Sequence, residues 1–264
     1  MIHLRTWIGW FTLIAFGIAG GSAFAQPDDL VQVPGREAVE EARGSFIFVF
    51  DPAQIDGADA VPGLAQRLTA QAGGVLRHVY TTAIWGFSAT LPQPAAERLA
   101  EQNPNIQYVE PNGVVWAIAP AAPAEKPDSP PGQDKKKSDD DGSSEPAQVL
   151  PYGIARVGGP VDGSGLTAWV IDTGIDLDHP DLNVGSRGAN FVLRGKKSED
   201  DGHGHGTHVS GTIAALDNTI DVVGVAAGAT VEPVRVLDNS GSGTVDGVVA
   251  GIDHAAANGS PGDC

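Results

Sequence analysis

The stretch that most constrains the fold is a short apolar run, Thr167-Ala168-Trp169-Val170-Ile171, which stops on Asp172 and passes directly into Thr173-Gly174. A brief continuous apolar segment bounded by turn residues reads as a parallel strand buried on both faces. A carboxylate at the end of such a strand emerges at the carboxyl edge of the sheet, where open α/β folds place their chemistry. Downstream lies Asp201-Gly202-His203-Gly204-His205-Gly206-Thr207-His208-Val209-Ser210-Gly211. Val209, Ile213 and Leu216 have the apolar spacing of a helix beginning at about Gly206, so His205 stands at a loop-to-helix junction. The glycines beside it leave room for a substrate backbone. The two motifs together predict an α/β domain with a carboxylate and an imidazole at its active edge.

Several chemistries use these letters. His203, His205 and His208 could ligate zinc, but such a site usually adds distant carboxylate or His ligands, and the intervening glycines supply none. Asp172-Thr173-Gly174 is also the tripeptide of aspartic proteases, in which two carboxylates share a proton. No second Asp-Thr-Gly occurs, and Ile175 stands where those enzymes prefer a small residue. A glycine-rich turn with solvated histidines would account for either motif alone, but poorly for the pair.

The pair resembles the Asp and His motifs of subtilisin-like serine proteases, whose triad runs in the chain order Asp, His, Ser. The resemblance implies that Asp172 orients His205 and stabilises its imidazolium form, and that His205 is the general base for a serine. It also implies that Leu237, Gly241, Ser242 and Gly243 form an edge on which an extended peptide or protein substrate is laid, backbone to backbone. A structural calcium site is implied for the side chains of Gln148, Asp181 and Asn218 with the carbonyls of Leu216, Ile220 and Val222. Asp221 departs from the family, which often has a small residue there.

Residues 45–118 resemble the inhibitory pro-domain of the same family, chiefly through Gly86-Phe87-Ser88-Ala89 and Ile106-Gln107-Tyr108-Val109-Glu110. Apolar patterning there predicts β-α-β-β-α-β: strands at 46–50, 75–80 and 84–91, helices at 62–72 and 94–102, and a last extended stretch over 106–116. That order is the ferredoxin-like α+β motif. By the resemblance, the module assists folding and lays its tail, around 114–119, in the active-site cleft of its own chain. His78, in one of these strands, is read as packed or solvated rather than as a pH sensor.

The rest of the chain fits an exported precursor. With 33 acidic against 16 basic residues and a formal charge of −17, it is poorly suited to nucleic acid. Its one cysteine, Cys264, excludes an internal disulfide framework. Residues 1–25 read as a signal peptide ending at Ala23-Phe24-Ala25, which implies secretion and no stable membrane anchor. Residues 26–44 form a polar lead with a short helical turn at 37–43, and 119–146 a Pro-, Asp- and Lys-rich linker. Residues 147–264 then make the N-terminal part of a three-layer peptidase domain. The family's oxyanion-hole Asn and its Gly-Thr-Ser nucleophile have no counterpart in these residues. Ser210 belongs to the His helix and Ser242 to a turn. The chain as given is therefore expected to be an inactive part of a larger zymogen; the alternative is a remnant that inhibits or binds proteases through its pro-domain.

Overall fold

The computed structural model describes residues 34–118, 148–195 and 197–264. The signal-peptide reading and the linker reading lie outside these residues. Among the described residues no helix is long and apolar enough to cross a membrane.

A short helix, α1 (Arg36–Ala42), precedes an α+β module built from β1 (Ser45–Phe50), α2 (Val61–Gln71), β2 (Val75–Tyr80), β3 (Gly86–Thr90), α3 (Gln93–Gln102) and β4 (Ile106–Pro111). Its four strands form an antiparallel sheet in the order β2-β3-β1-β4. An antiparallel sheet commonly leaves one face wet and alternates apolar with polar residues, yet β1 reads Phe-Ile-Phe-Val-Phe after its first residue. Both faces are in fact covered. Phe48, Phe50 and Phe87 pack against α2 and α3 through Leu64, Ala65, Leu68, Ala95 and Ala96, with the Phe48 and Phe87 rings stacked at 4.7 Å. Ile47, Val49 and Tyr80 point the other way, onto a helix of the second module. Each such buried side chain contributes about 2 kcal/mol before the cost of ordering.

The extended stretch expected over 106–116 is two strands. β4 pairs with β1, whereas β5 (Val114–Trp116) turns away after Asn112-Gly113 to pair elsewhere. Glycine suits the passage between them: a Cβ on Gly113 would sit 3.1 Å from Val245 Cγ2, which would have to give by a few tenths of an ångström.

The second module runs α4 (Tyr152–Arg156), β6 (Val161–Asp162), β7 (Thr167–Asp172), β8 (Asn183–Val184), β9 (Ala189–Asn190), α5 (His205–Ala214), β10 (Ala226–Ala227), β11 (Thr230–Arg235), β12 (Ser242–Thr244) and α6 (Val245–Asn258). β7 and β11 pair in parallel from Thr167↔Thr230 to Asp172↔Arg235, and β8 and β9 follow on the far side of β11. Ala168, Val170 and Val231 face Val209, Ile213 and Ala214 of α5. Trp169, Ile171 and Val234 face Val248 of α6. Helix, parallel sheet and helix thus make three layers of α/β architecture. The other edge of β7 meets Cys264, whose carbonyl accepts from Trp169 N–H (2.7 Å) and whose N–H donates to Thr167 O (3.0 Å).

Candidate active site

Asp172 is the last residue of β7 and His205 the first of α5, so two rigid elements deliver the carboxylate and the imidazole to one place. His205 Nδ1 lies 2.8 Å from both Asp172 carboxylate oxygens. Asp172 Oδ1 also accepts the Thr173 N–H at 2.6 Å, which fixes the carboxylate plane. A carboxylate on Nδ1 selects the tautomer in which Nε2 is the basic atom. Among the described residues no serine hydroxyl is hydrogen-bonded to His205. Ser210 Oγ instead donates to the Gly206 carbonyl one turn back in α5.

The residue that shapes this junction is Asp201, to which the motif alone assigns no role. Its Oδ1 accepts the His203 and Gly204 N–H groups and the Thr173 hydroxyl at 2.8–2.9 Å. Its Oδ2 accepts the Thr207 N–H (3.0 Å) and hydroxyl (2.6 Å). Burial raises its pKa, but these hydrogen bonds outweigh that and hold it at about 2. An anion at the first turn satisfies helix donors that have no partner within the helix, so Asp201 sets where α5 begins and hence where His205 stands. The signal was an acidic residue just ahead of the helix start. Gly206 completes the fit: its N–H donates to Thr173 Oγ1 (2.9 Å), and a Cβ there would run into the Gly174 carbonyl.

The four residues read as a substrate edge lie together. β12 pairs antiparallel with β5 in the register Ser242↔Trp116, Gly243↔Val115, Thr244↔Val114. Beyond the ladder, Ala117 N–H donates to Gly241 O (2.8 Å) and Val245 N–H to Gly113 O (2.9 Å). Leu237 forms an antiparallel bridge with Gly243 and packs with Val115 and Ala117. Gly241, at φ +73°, lies against the His203 ring, whose centroid is 6.3 Å from that of His205. The edge therefore leads toward the Asp172–His205 pair and carries an extended segment of the same chain. Arg235, buried on β11, ties edge to junction by donating to Ser198 O (2.9 Å), Asp200 O (3.1 Å) and Asn239 Oδ1 (2.6 Å).

The residues read as calcium ligands also converge. Gln148 Nε2 donates to Leu216 O (2.7 Å), Val222 O (3.2 Å) and Asn218 Oδ1 (3.3 Å). Asp181, buried, accepts from Asn218 Nδ2 at 2.6 Å. An amide N–H group thus occupies the focus of an oxygen-only donor set. Turning that amide would bring its oxygen among them, which is the chemistry a hard cation such as calcium requires. The Ile220 N–H donates to Asn218 Oδ1 (2.8 Å) within the same loop. Asp221 has φ +51°, a left-handed conformation that suits a small residue and that Asp tolerates better than most.

Asp172 faces the His205 imidazole, and His205 is engaged by that carboxylate. Among the described residues no group of three His, Cys, Asp or Glu side chains is arranged to hold a metal.

A network unforeseen from the sequence joins the two modules. Asp246, fully buried at the start of α6, accepts from Arg77 Nε (2.6 Å), Ser88 Oγ (2.9 Å) and Asn112 Nδ2 (2.8 Å), all on the N-terminal module. Burial raises its pKa, but the Arg77 guanidinium and the other donors bring it down to about 2. Two turns along α6, Asp253 accepts the backbone N–H groups of Thr81, Thr82 and Ala83 at 2.7–2.9 Å. His78 lies in the same seam, edge-on to Phe191 at 6.2 Å; burial lowers its pKa and Asp246 opposes that.

Residues 163–261 match the model of the subtilase family. Subtilisin Savinase of Lederbergia lenta is 50% identical over 119 residues, 43% of this chain and 43% of that protein. Subtilisin E of Bacillus subtilis (strain 168) is 38% identical over 177 residues, 65% of this chain and 39% of that protein. A solved structure of a cold adapted subtilisin-like serine proteinase is 40% identical over 38% of this chain and 34% of its own, with a TM-score of 0.33. The chain thus spans less than half the length of these curated relatives.

Proposed function

We propose that the chain is the N-terminal portion of an exported subtilisin-like serine endopeptidase precursor, with Asp172 and His205 as two members of an Asp/His/Ser triad. The observation that carries this reading is the antiparallel pairing of β5 with β12 beside the Asp172–His205 pair. A peptidase holds substrate in that extended form, so residues 114–117 act as a tethered, product-like occupant of the edge formed by Leu237, Gly241, Ser242 and Gly243. The module at 45–111 is a ferredoxin-like pro-domain that docks on α6 and holds this tail in place. In this reading the nucleophile and the oxyanion donor are not among residues 147–264. In the completed site Asp172 keeps His205 in the tautomer that accepts a proton at Nε2, and the Asp201 cap fixes the imidazole's position. The loop at Gln148, Asp181, Leu216, Asn218, Ile220 and Val222 would hold calcium, which when bound supplies rigidity rather than chemistry.

The test is hydrolysis of a fluorogenic peptide by the 264-residue chain and by the polypeptide extended along its reading frame. The first is expected to be inactive. The second is expected to turn over once its pro-domain is removed and to lose at least about 10⁴-fold in kcat on His205→Ala, as triad hydrolases do. Activity in the 264-residue chain would overturn the placement of the nucleophile. Activity that survives His205→Ala would overturn the reading as a whole.

A further inference from the structure

The helix ahead of the N-terminal module has no assigned role, yet it sits on the functional edge. α1 packs on β12 and β5, the two strands that form the occupied substrate edge, with Ala38 and Ala42 as its buried face. Alanines one turn apart on one face let a helix lie close on a backbone ribbon. At its start, Gly35 N–H donates to Ser242 Oγ at 2.8 Å, and a Cβ on Gly35 would sit 2.6 Å from Ser240 Oγ. Near its other end, Glu41 meets Arg77 Nη2 at 3.1 Å and Arg194 Nε at 3.7 Å. Arg77 is itself held by Asp246 on α6. This seven-residue helix is therefore bonded at one end to the substrate edge and at the other to the ion cluster between the modules.

We propose that residues 35–42 are a latch, a separate inhibitory element that clamps the tail of the pro-domain onto the substrate edge. This rests on the reading of residues 114–117 as an occupant of that edge. The physical argument is one of strand length. A three-residue ladder is short, and an isolated two-stranded ribbon is at best marginally stable in water. A helix laid across both strands removes one of the ribbon's faces from solvent and ties its ends to a buried network. The latch thus makes the tail stay, and its release would free the edge before any change in the pro-domain core.

Amide hydrogen exchange on the intact 264-residue chain tests this. The reporters are the N–H groups of Ala117 and Val245, which bond across the ribbon, and the controls are Phe48, Phe87 and Val170. In Ala38→Glu, which forces a carboxylate under the helix, reporter exchange is expected to quicken at least about tenfold while the controls keep their rates. If the controls quicken too, Glu41→Gln decides. It cuts the tie to Arg77 without adding bulk and should still raise reporter exchange about threefold over unchanged controls. Reporters that keep their wild-type rates in a folded variant would show the helix to be a passenger and overturn the latch. Reporters unprotected in the wild type would overturn the occupied-edge reading beneath it.

Discussion

Replacing Asp246 by Asn tests the seam between the modules most directly. In the native chain its carboxylate receives Arg77, Ser88 and Asn112 and is fully buried, so the amide would remove a charge from Arg77 and turn an NH₂ group toward donors that now bond a carboxylate oxygen. Arg77 would keep Glu41 as a partner at 3.1 Å, which limits the damage. Breaking one side of a buried pair costs about 3–5 kcal/mol, and the surviving partner places this case near 3 kcal/mol. The acid dependence gives an independent figure. A carboxyl whose pKa falls on folding contributes stability above its unfolded value and loses it as pH drops through the folded one. For Asp246 that window runs from 3.8 down to about 2, and at about 1.4 kcal/mol per pH unit it is worth roughly 2 kcal/mol. Urea unfolding at pH 6 should therefore find Asp246→Asn less stable by about 2–3 kcal/mol, with the gap narrowing to about 1 kcal/mol as pH approaches 2. Equal midpoints at pH 6, or a gap that does not narrow in acid, would refute the argument.

Two further outcomes are expected. Asp201→Ala should cost about 1 kcal/mol as the loss of a helix cap, and should broaden the His205 ring signals in NMR while leaving those of His254 unchanged; unchanged His205 signals would deny Asp201 its positioning role. Millimolar calcium should raise the unfolding temperature of the chain by several degrees, at about 4 °C per kcal/mol or less for a chain this size, and Gln148→Ala should abolish the increment. A chelator-insensitive melt would remove calcium from the account.

The strand that ends in Asp172 and the helix that begins at His205 were legible because each is a local pattern: an apolar run stopped by a carboxylate, and an apolar stripe started by glycines. The short helical turn expected at 37–43 is found as a helix at Arg36–Ala42. What the chain hid was everything set by contact across the seam. The apolar run at 46–50 announced a strand, but nothing local says that its second face is also covered or that the cover is α6. Asp246 and Asp253 carry no local sign of burial, since acids on a helix are usually solvated; their partners lie more than a hundred residues away in the chain. The division of 106–116 into two strands was equally hidden, because the pattern of both halves is extended and only their partners differ.

The acids on α6 have a consequence for how the two modules could part. An interface made only of aliphatic side chains leaves a sticky surface on each partner when it opens, whereas α6 meets the antiparallel sheet through Val245, Val249 and Ala250 flanked by Asp246 and Asp253. In contact, those carboxylates are quenched by a guanidinium, a hydroxyl, an amide and three backbone N–H groups. Apart, the same two groups take up water readily and carry like charge, so the bared helix would repel rather than recruit a second copy. The hidden face of α6 is thus already built as an outside surface.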